Sequence, residues 1–282
     1  MSLEIIDWLK SGTKANYADN CRQGNLINLP LTGSVVVGGD IHGHCRNFER
    51  IRNYSQLKDN PDRHLVLQEI IHGQQDDKDD DSFSFELLAE AARLKSEFPN
   101  QIHIIMGNHD TAFINNTEVM KNGREMNAVM RTAMSGRFGA DAESLANEIE
   151  QFLFSQPLAV RCANRIWISH SLPSDRYVGK FDTKIFHKQL KVSDIVRPNS
   201  AYLLTWGRRH SQDTLDKLAG MLDVDLFVLG HQMQEKGWTK AGDNAVIIIS
   251  EHNHGTLLDI DLAKSYGIDE LIGRIIPLAS IS

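Results

Sequence analysis

The chain has 282 residues, 41% of them apolar and 24% charged, with a formal net charge of −7. That length gives one large domain, or at most two small ones, with a core that needs no staples. The acidic balance disfavours nucleic acid as a partner, because phosphate affinity rests on Lys and Arg, and no apolar run approaches the roughly 18 residues of a membrane span.

The three cysteines (Cys21, Cys45 and Cys162) are odd in number and far apart. They speak against a disulfide framework or a thiolate metal site, and a reducing cytoplasm fits them best. The N-terminus carries acids and lacks an apolar signal core, so it does not read as a secretory signal.

Residues 3–10 have a weak helical period, and the stretch to 33 is mostly polar connection. We read 1–33 as an extension packing on a main domain at 34–282. Residues 34–38 are β-branched, continuous and ended by glycine, the pattern of a buried strand. A helix follows over 44–57, with Phe48, Ile51 and Tyr54 at spacings of three. "RHLVLQEII" (63–71) is the second strand, and "QQDDKDDD" (74–81) an acidic, solvated loop. Phe85, Leu88, Ala89 and Ala92 mark the apolar face of a helix that Pro99 and Asn100 end. "QIHIIM" (101–106) is the third strand. Strand–helix alternation of this kind implies right-handed βαβ units and a parallel sheet. Residues 118–155 read as helical, and strands follow at 165–169, 225–229, 245–250 and 256–261. The fold class is α/β, with a βα half and a β-rich half that can pack as two sheets with helices outside.

Ligands of open α/β sheets bind beyond the carboxyl ends of the strands. Asp40 and His42 follow the first strand, in "GGDIHG", and Glu69 closes the second. Asn108, His109 and Asp110 follow the third, in "MGNHD". His170 ends "RIWISH", His231 follows "DLFVLG", and His252 and His254 lie past "AVIIIS". This oxygen and imidazole set suits Mn, Fe or Zn. The six candidates Asp40, His42, Glu69, Asn108, His170 and His231 exceed the three or four protein ligands of one zinc. Two metals sharing a carboxylate, ~3.5–4 Å apart, use all six. Taken alone, Asp40 also suits the cap of the following helix; the ordered series favours the metal reading. His64 and His103 read as ordinary.

G-D-x-H-G, then G-N-H-D, then a strand ending in His, then G-H run in order from residue 39 to about 255. This series resembles the calcineurin-like metallophosphoesterase superfamily. "LGHQMQEKGWTKAGDNAVIIISEHNHG" and, faintly, "YLLTWGRR" are similar to stretches of its phosphoprotein phosphatase (PPP) family. The resemblance implies a single-domain β-sandwich of two mixed sheets flanked by helices. It implies hydrolysis of phosphate monoesters, of small molecules or of phosphoserine, phosphothreonine or phosphotyrosine in peptides, by a hydroxide bridging two divalent cations, with Mn favoured. A phosphodiesterase or dinucleoside polyphosphate hydrolase of the same superfamily, or a non-catalytic phosphate-binding relative, stands as the alternative.

Carried over residue by residue, the resemblance assigns Asp40 and His42 to the first metal, and Asn108, His170 and His231 to the second. His109 is the proton donor to the leaving group. The family's second motif, G-D-x-x-D-R-G, is altered to Gln68-Glu69-Ile70-Ile71-His72-Gly73. Glu69 stands for the bridging Asp, His72 replaces the Asp that orients the catalytic His, and the phosphate-binding Arg is gone. The group orienting His109 is left open among Asp110, Glu251 and the acids of 76–81. Arg208 and Arg209, then Arg46, are the candidates for the lost phosphate clamp, with His72 and His254 lining the pocket. The oligomeric state is left open.

Overall fold

A computed structural model of the chain describes residues 2–73, 84–121 and 123–281. The acidic loop at 74–81 lies outside the described residues.

The N-terminal helix α1 (Ser2–Tyr17) is longer than its weak period suggested. It buries Ile5, Ile6 and Leu9, and the polar connection behind it contains two short strands, β1 (Arg22–Gln23) and β2 (Leu26–Leu29). The expected βαβ units follow as β3 (Ser34–Asp40), α2 (Cys45–Ser55), β4 (Arg63–Gln68), α3 (Ser84–Glu97) and β5 (Ile102–Ile105). β4 stops three residues before the expected end at 71 because Glu69 and His72 take left-handed backbone, with φ of 46° and 63°. After β5 comes the short helix α4 (Asn108–Ile114). The region read as helical over 118–155 opens instead with a hairpin, β6 (Met120–Lys121) and β7 (Arg124–Glu125), before α5 (Met126–Phe138) and α6 (Ala142–Ser155).

The second half is richer in elements than its pattern predicts. It contains β8 (Ala159–Cys162), β9 (Ile166–Ser169), α7 (Ser200–Trp206), α8 (Gln212–Leu222) and β10 (Leu226–Leu229). β11 (Trp238–Ala241), β12 (Ala245–Ile248), β13 (Thr256–Asp261), α9 (Ile268–Ile272) and β14 (Ile275–Pro277) complete it. Among the described residues no helix is long and apolar enough to cross a membrane.

Two mixed sheets form the frame, one in the order β14-β13-β3-β4-β5 and one in the order β1-β2-β8-β9-β10-β12-β11. β3, β4 and β5 are parallel neighbours, as are β9, β10 and β12. Alternation along the strands divides the core. Val35, Val37, Val66 and Ile105 cluster with Val160, Ile168, Val228 and Val246 between the sheets. Val36, Leu65, Leu67 and Ile104 join Phe48, Ile51, Phe85 and Leu88 under the flanking helices.

A backbone bridge joins the two sheets at the carboxyl end of β3. Asp40 bridges Ile249 in parallel fashion, and the Ser250 N–H donates to the Asp40 carbonyl at 2.9 Å. A Cβ on Gly39 would lie 2.3 Å from the Ile248 carbonyl oxygen, so only glycine permits this approach. The carboxyl ends of both parallel strand sets are thereby brought to one point.

Candidate metal centre

Each sequence-selected ligand lies within three residues of a strand's end. Asp40 closes β3, Glu69 follows β4, Asn108 is the third residue after β5, His170 follows β9, and His231 is the second residue after β10. All six side chains named for metal are buried. His42, Glu69, His72 and His231 have φ of 44°, 46°, 63° and 68°, four of the nine non-glycine residues with positive φ among the described residues. Backbone strain gathered in this way is a mark of functional sites.

One half of the cluster is defined by hydrogen bonds. The Gln68 amide donates to the Gly38 carbonyl, which fixes its Oε1 toward His170 Nδ1 at 2.9 Å. Nδ1 therefore carries the ring proton, and Nε2 is left with its lone pair. That Nε2 lies 2.7 Å from Glu69 Oε2 and 2.9 Å from Asn108 Oδ1. His231 Nδ1 lies 2.7 Å from the same Asn108 oxygen. Carboxylate, amide oxygen and two imidazole nitrogens thus converge on one point, with the His170 lone pair inward. Such an arrangement is repulsive unless protons or a cation lie between the atoms, and its N/O donor set fits a divalent cation.

The other half contains Asp40 and His42. Both Asp40 oxygens accept the His231 backbone N–H, at 3.0 and 2.9 Å. His42 Nδ1 donates to the Ile71 carbonyl at 3.0 Å, so its Nε2 lone pair is also free to ligate. Glu251 brings a further carboxylate to within 3.8 Å of that Nε2. Burial pushes the Asp40 carboxyl up to about 7 and Glu69 up to about 8. Burial also lowers His42 to about 3 and holds His170 and His231 below their usual range. A dication reverses the burden on the acids and favours neutral imidazoles, so the electrostatics fit the same occupant.

The Glu69 carboxylate is fixed by α4. It accepts the backbone N–H of Asn108 at 3.1 Å and of His109 at 2.9 Å. The extra methylene relative to Asp gives it this reach. Asp110 is turned away from His109: its Oδ2 accepts the Gly107 N–H at 2.8 Å and caps α4. His72 is the group beside His109, with the two Nδ1 atoms 2.8 Å apart. From the sequence His72 is expected among the substrate-binding residues, and Asp110, Glu251 or the acids of 76–81, which lie outside the described residues, as the partner of His109. The geometry instead puts His72 against His109 and Glu251 against His42.

Among the proposed phosphate-binding cations, Arg208 and Arg209 are both exposed. Arg208 is close enough for its charge to depress His170 and His231, while Arg209 sits on the adjoining turn with φ 64°. Arg46 is exposed at the start of α2. His254 is exposed, its backbone N–H donating to His252 Nδ1 at 3.0 Å. One cation went unnoticed in the sequence. Lys121, on the β6–β7 hairpin, pairs with Glu251 at 3.1 Å, and its charge is felt by His42, Glu69, His72 and His109. A lone Lys in a two-residue strand carries no signal that could have found it.

Two sheets whose strand ends pool carboxylates and imidazoles make a candidate centre of nitrogen and oxygen donors. A model of the calcineurin-like phosphoesterase family matches residues 33–235. The chain belongs to that family. Its relatives include a serine/threonine-protein phosphatase of Caenorhabditis elegans, 24% identical over 237 residues. The match takes in 79% of this chain and 48% of the relative, so the chain spans about half the length of the curated protein it matches. A solved protein serine/threonine phosphatase from Saccharomyces cerevisiae superposes with a TM-score of 0.70 at 15% identity, over 92% of this chain and 82% of its own. The cold-active protein-tyrosine phosphatase of a psychrophilic Shewanella superposes with a TM-score of 0.58 at 18% identity, over 82% and 76%. At these identities the two structures speak for the fold alone, which is the sandwich the motifs implied.

Proposed function

We propose that the chain hydrolyses phosphate monoesters at a centre for two divalent cations. Glu69, Asn108, His170 and His231 would hold one cation, and Asp40 and His42, with Glu69 shared, the other. The observation that carries this reading is the meeting of Glu69 Oε2, Asn108 Oδ1, His170 Nε2 and His231 Nδ1 within hydrogen-bond distance. When bound, the cations supply an activated water and offset charge growing on the phosphoryl oxygens.

The chain's own residues do the rest. Gln68 and the Ile71 carbonyl set the tautomers of His170 and His42. His109 donates a proton from Nε2 to the leaving oxygen, while His72 holds its Nδ1. A neutral imidazole orients His109 but does not offset its positive charge as a carboxylate would. The centre is therefore suited best to leaving groups that need little protonation, such as aryl phosphates and phosphotyrosine. Lys121 stands in for the missing arginine as the cation that meets the substrate phosphate, with Arg208 second. Phosphorylated peptides are the substrates we favour, on the names of the relatives. Manganese is the cation we favour, on the mixed carboxylate, amide and imidazole donors. We place the chain in the cytoplasm, where its three free cysteines are stable.

The test is removal and return of the metal. Chelated protein should lose turnover of an aryl phosphate and regain it with Mn²⁺. His170→Ala should lose both bound manganese and turnover, while a phosphodiester should be hydrolysed poorly by the wild type. Full activity after complete chelation would overturn the reading.

A further inference from the structure

A second group of ligating side chains lies at the opposite end of the five-stranded sheet. His64 is the second residue of β4 and His103 the second residue of β5, at the ends from which these strands start. Cys21, in the turn after α1, comes to meet them. One ligand atom from each of Cys21, His64 and His103 lies within 4.8 Å of the other two.

The surroundings of the trio are built. His103 Nδ1 is 2.9 Å from Asp19 Oδ2, so it carries the ring proton and leaves the Nε2 lone pair facing His64 Nδ1 at 3.0 Å. An imidazole whose far nitrogen is tied to a carboxylate is the usual outer support of a ligating histidine. Asp19 is in turn held by Lys95, whose ammonium is fully buried and donates to Asp19 Oδ2, the Pro99 carbonyl and the Ile102 carbonyl at 2.6, 2.6 and 2.8 Å. The other Asp19 oxygen accepts the Cys21 backbone N–H at 2.9 Å, which fixes the cysteine against the histidines. His64 and His103 are buried, and Cys21 is partly open to solvent.

We propose that Cys21, His64 and His103 bind a zinc ion, separate from the hydrolytic centre, that clasps the segment after α1 to the starts of β4 and β5. A thiolate and two imidazoles are a zinc donor set, and three protein ligands leave the fourth tetrahedral position to water on the Cys21 side. A His64 proton shared with His103 Nε2 would satisfy the two rings without a metal. In that case the thiol plays no part, and this is what separates the two accounts.

The experiment uses cobalt in place of zinc in the full chain, because only a sulfur ligand gives a thiolate-to-cobalt charge-transfer band in the near ultraviolet. The hydrolytic centre contains no sulfur and gives no such band. The wild type should develop the band on titration and hold one more equivalent of metal than Cys21→Ser, which should lack it. Cys45→Ser should keep it. Cys21→Ser retains the backbone bond to Asp19, so it remains informative even if His103→Asn does not fold. Absence of the band in the wild type, its survival in Cys21→Ser, or equal metal content in the two proteins would overturn the proposal.

Discussion

Gly107 precedes α4 and packs directly on the Glu69 carboxylate. A Cβ there would lie 2.5 Å from Glu69 Oε2 and 2.9 Å from Oε1, where ordinary contact begins near 3.4 Å. The φ of Gly107 is −102°, open to alanine, so Gly107→Ala introduces no backbone strain. Its effect is steric: the carboxylate must retreat by roughly 0.9 Å from an alanine methyl. That stretches the bonds from the Asn108 and His109 N–H groups, now 3.1 and 2.9 Å, beyond hydrogen-bond range. Two buried donors left unsatisfied cost about 1–3 kcal/mol each, so we expect a loss of roughly 2–6 kcal/mol in chemical denaturation. A displaced ligand should also weaken manganese binding about 10–100-fold, read by calorimetric titration. The companion Glu69→Ala removes the clash, so Gly107→Ala should be nearly neutral for stability in that background. The reasoning fails if Gly107→Ala melts within about 0.5 kcal/mol of the wild type and binds manganese unchanged.

Other outcomes follow from single groups. His72→Asp restores a carboxylate beside His109 and should raise turnover of an alkyl phosphate relative to an aryl one by about 100-fold, at the low end of a general-acid effect. An unchanged ratio in steady-state assays would separate His72 from His109. Lys121→Ala should raise KM for a monoester by roughly tenfold, the loss of one charge-assisted contact, with bound metal unchanged by elemental analysis. The Cys162 thiol is pushed by burial from its usual 9.0 up to about 12. The unfolded chain releases this proton first, so stability present below pH 9 is lost as pH rises toward 12, by at most about 1.4 kcal/mol per pH unit. Cys162→Ala should flatten that limb between pH 9 and 10.5, and an unaltered slope in denaturation curves would count against the shift.

The grouping of the candidate ligands could be read from the chain because each sits closely after an apolar run, where a parallel strand delivers it to a common edge. Asp40, Asn108, His170 and His231 each follow a run of buried residues by no more than two positions. What could not be read depends on side chains meeting across turns. His72 reaches His109 only because residues 69 and 72 leave the extended conformation, and nothing local in "QEIIHG" announces a positive φ. Lys121 has the same character, as do β1, β2, β8, β11 and β14, which span two to four residues and offer too short a window for periodicity. Cys21, His64 and His103 are far apart in sequence and each resembles an ordinary residue. Only the register of β4 with β5, which sets Val66 beside His103, brings the two rings together.

Strain and core must be considered together at this centre. Four left-handed non-glycine residues, at about 1–2 kcal/mol each, amount to a large share of the 5–15 kcal/mol by which a folded domain is stable. They are tolerated because the surrounding structure over-determines them. The His231 N–H is held by both Asp40 oxygens, His42 by the Ile71 carbonyl, and the His72 N–H by Ser84 Oγ at 3.0 Å. Asp40 lies in β3, Ser84 in α3, and Ile71 in the turn after β4. A cation at the centre would add ligand bonds to the same residues and remove the lone-pair repulsion among them. Metal binding should therefore stabilise the fold as well as enable hydrolysis, since whatever binds the native state alone shifts its unfolding upward.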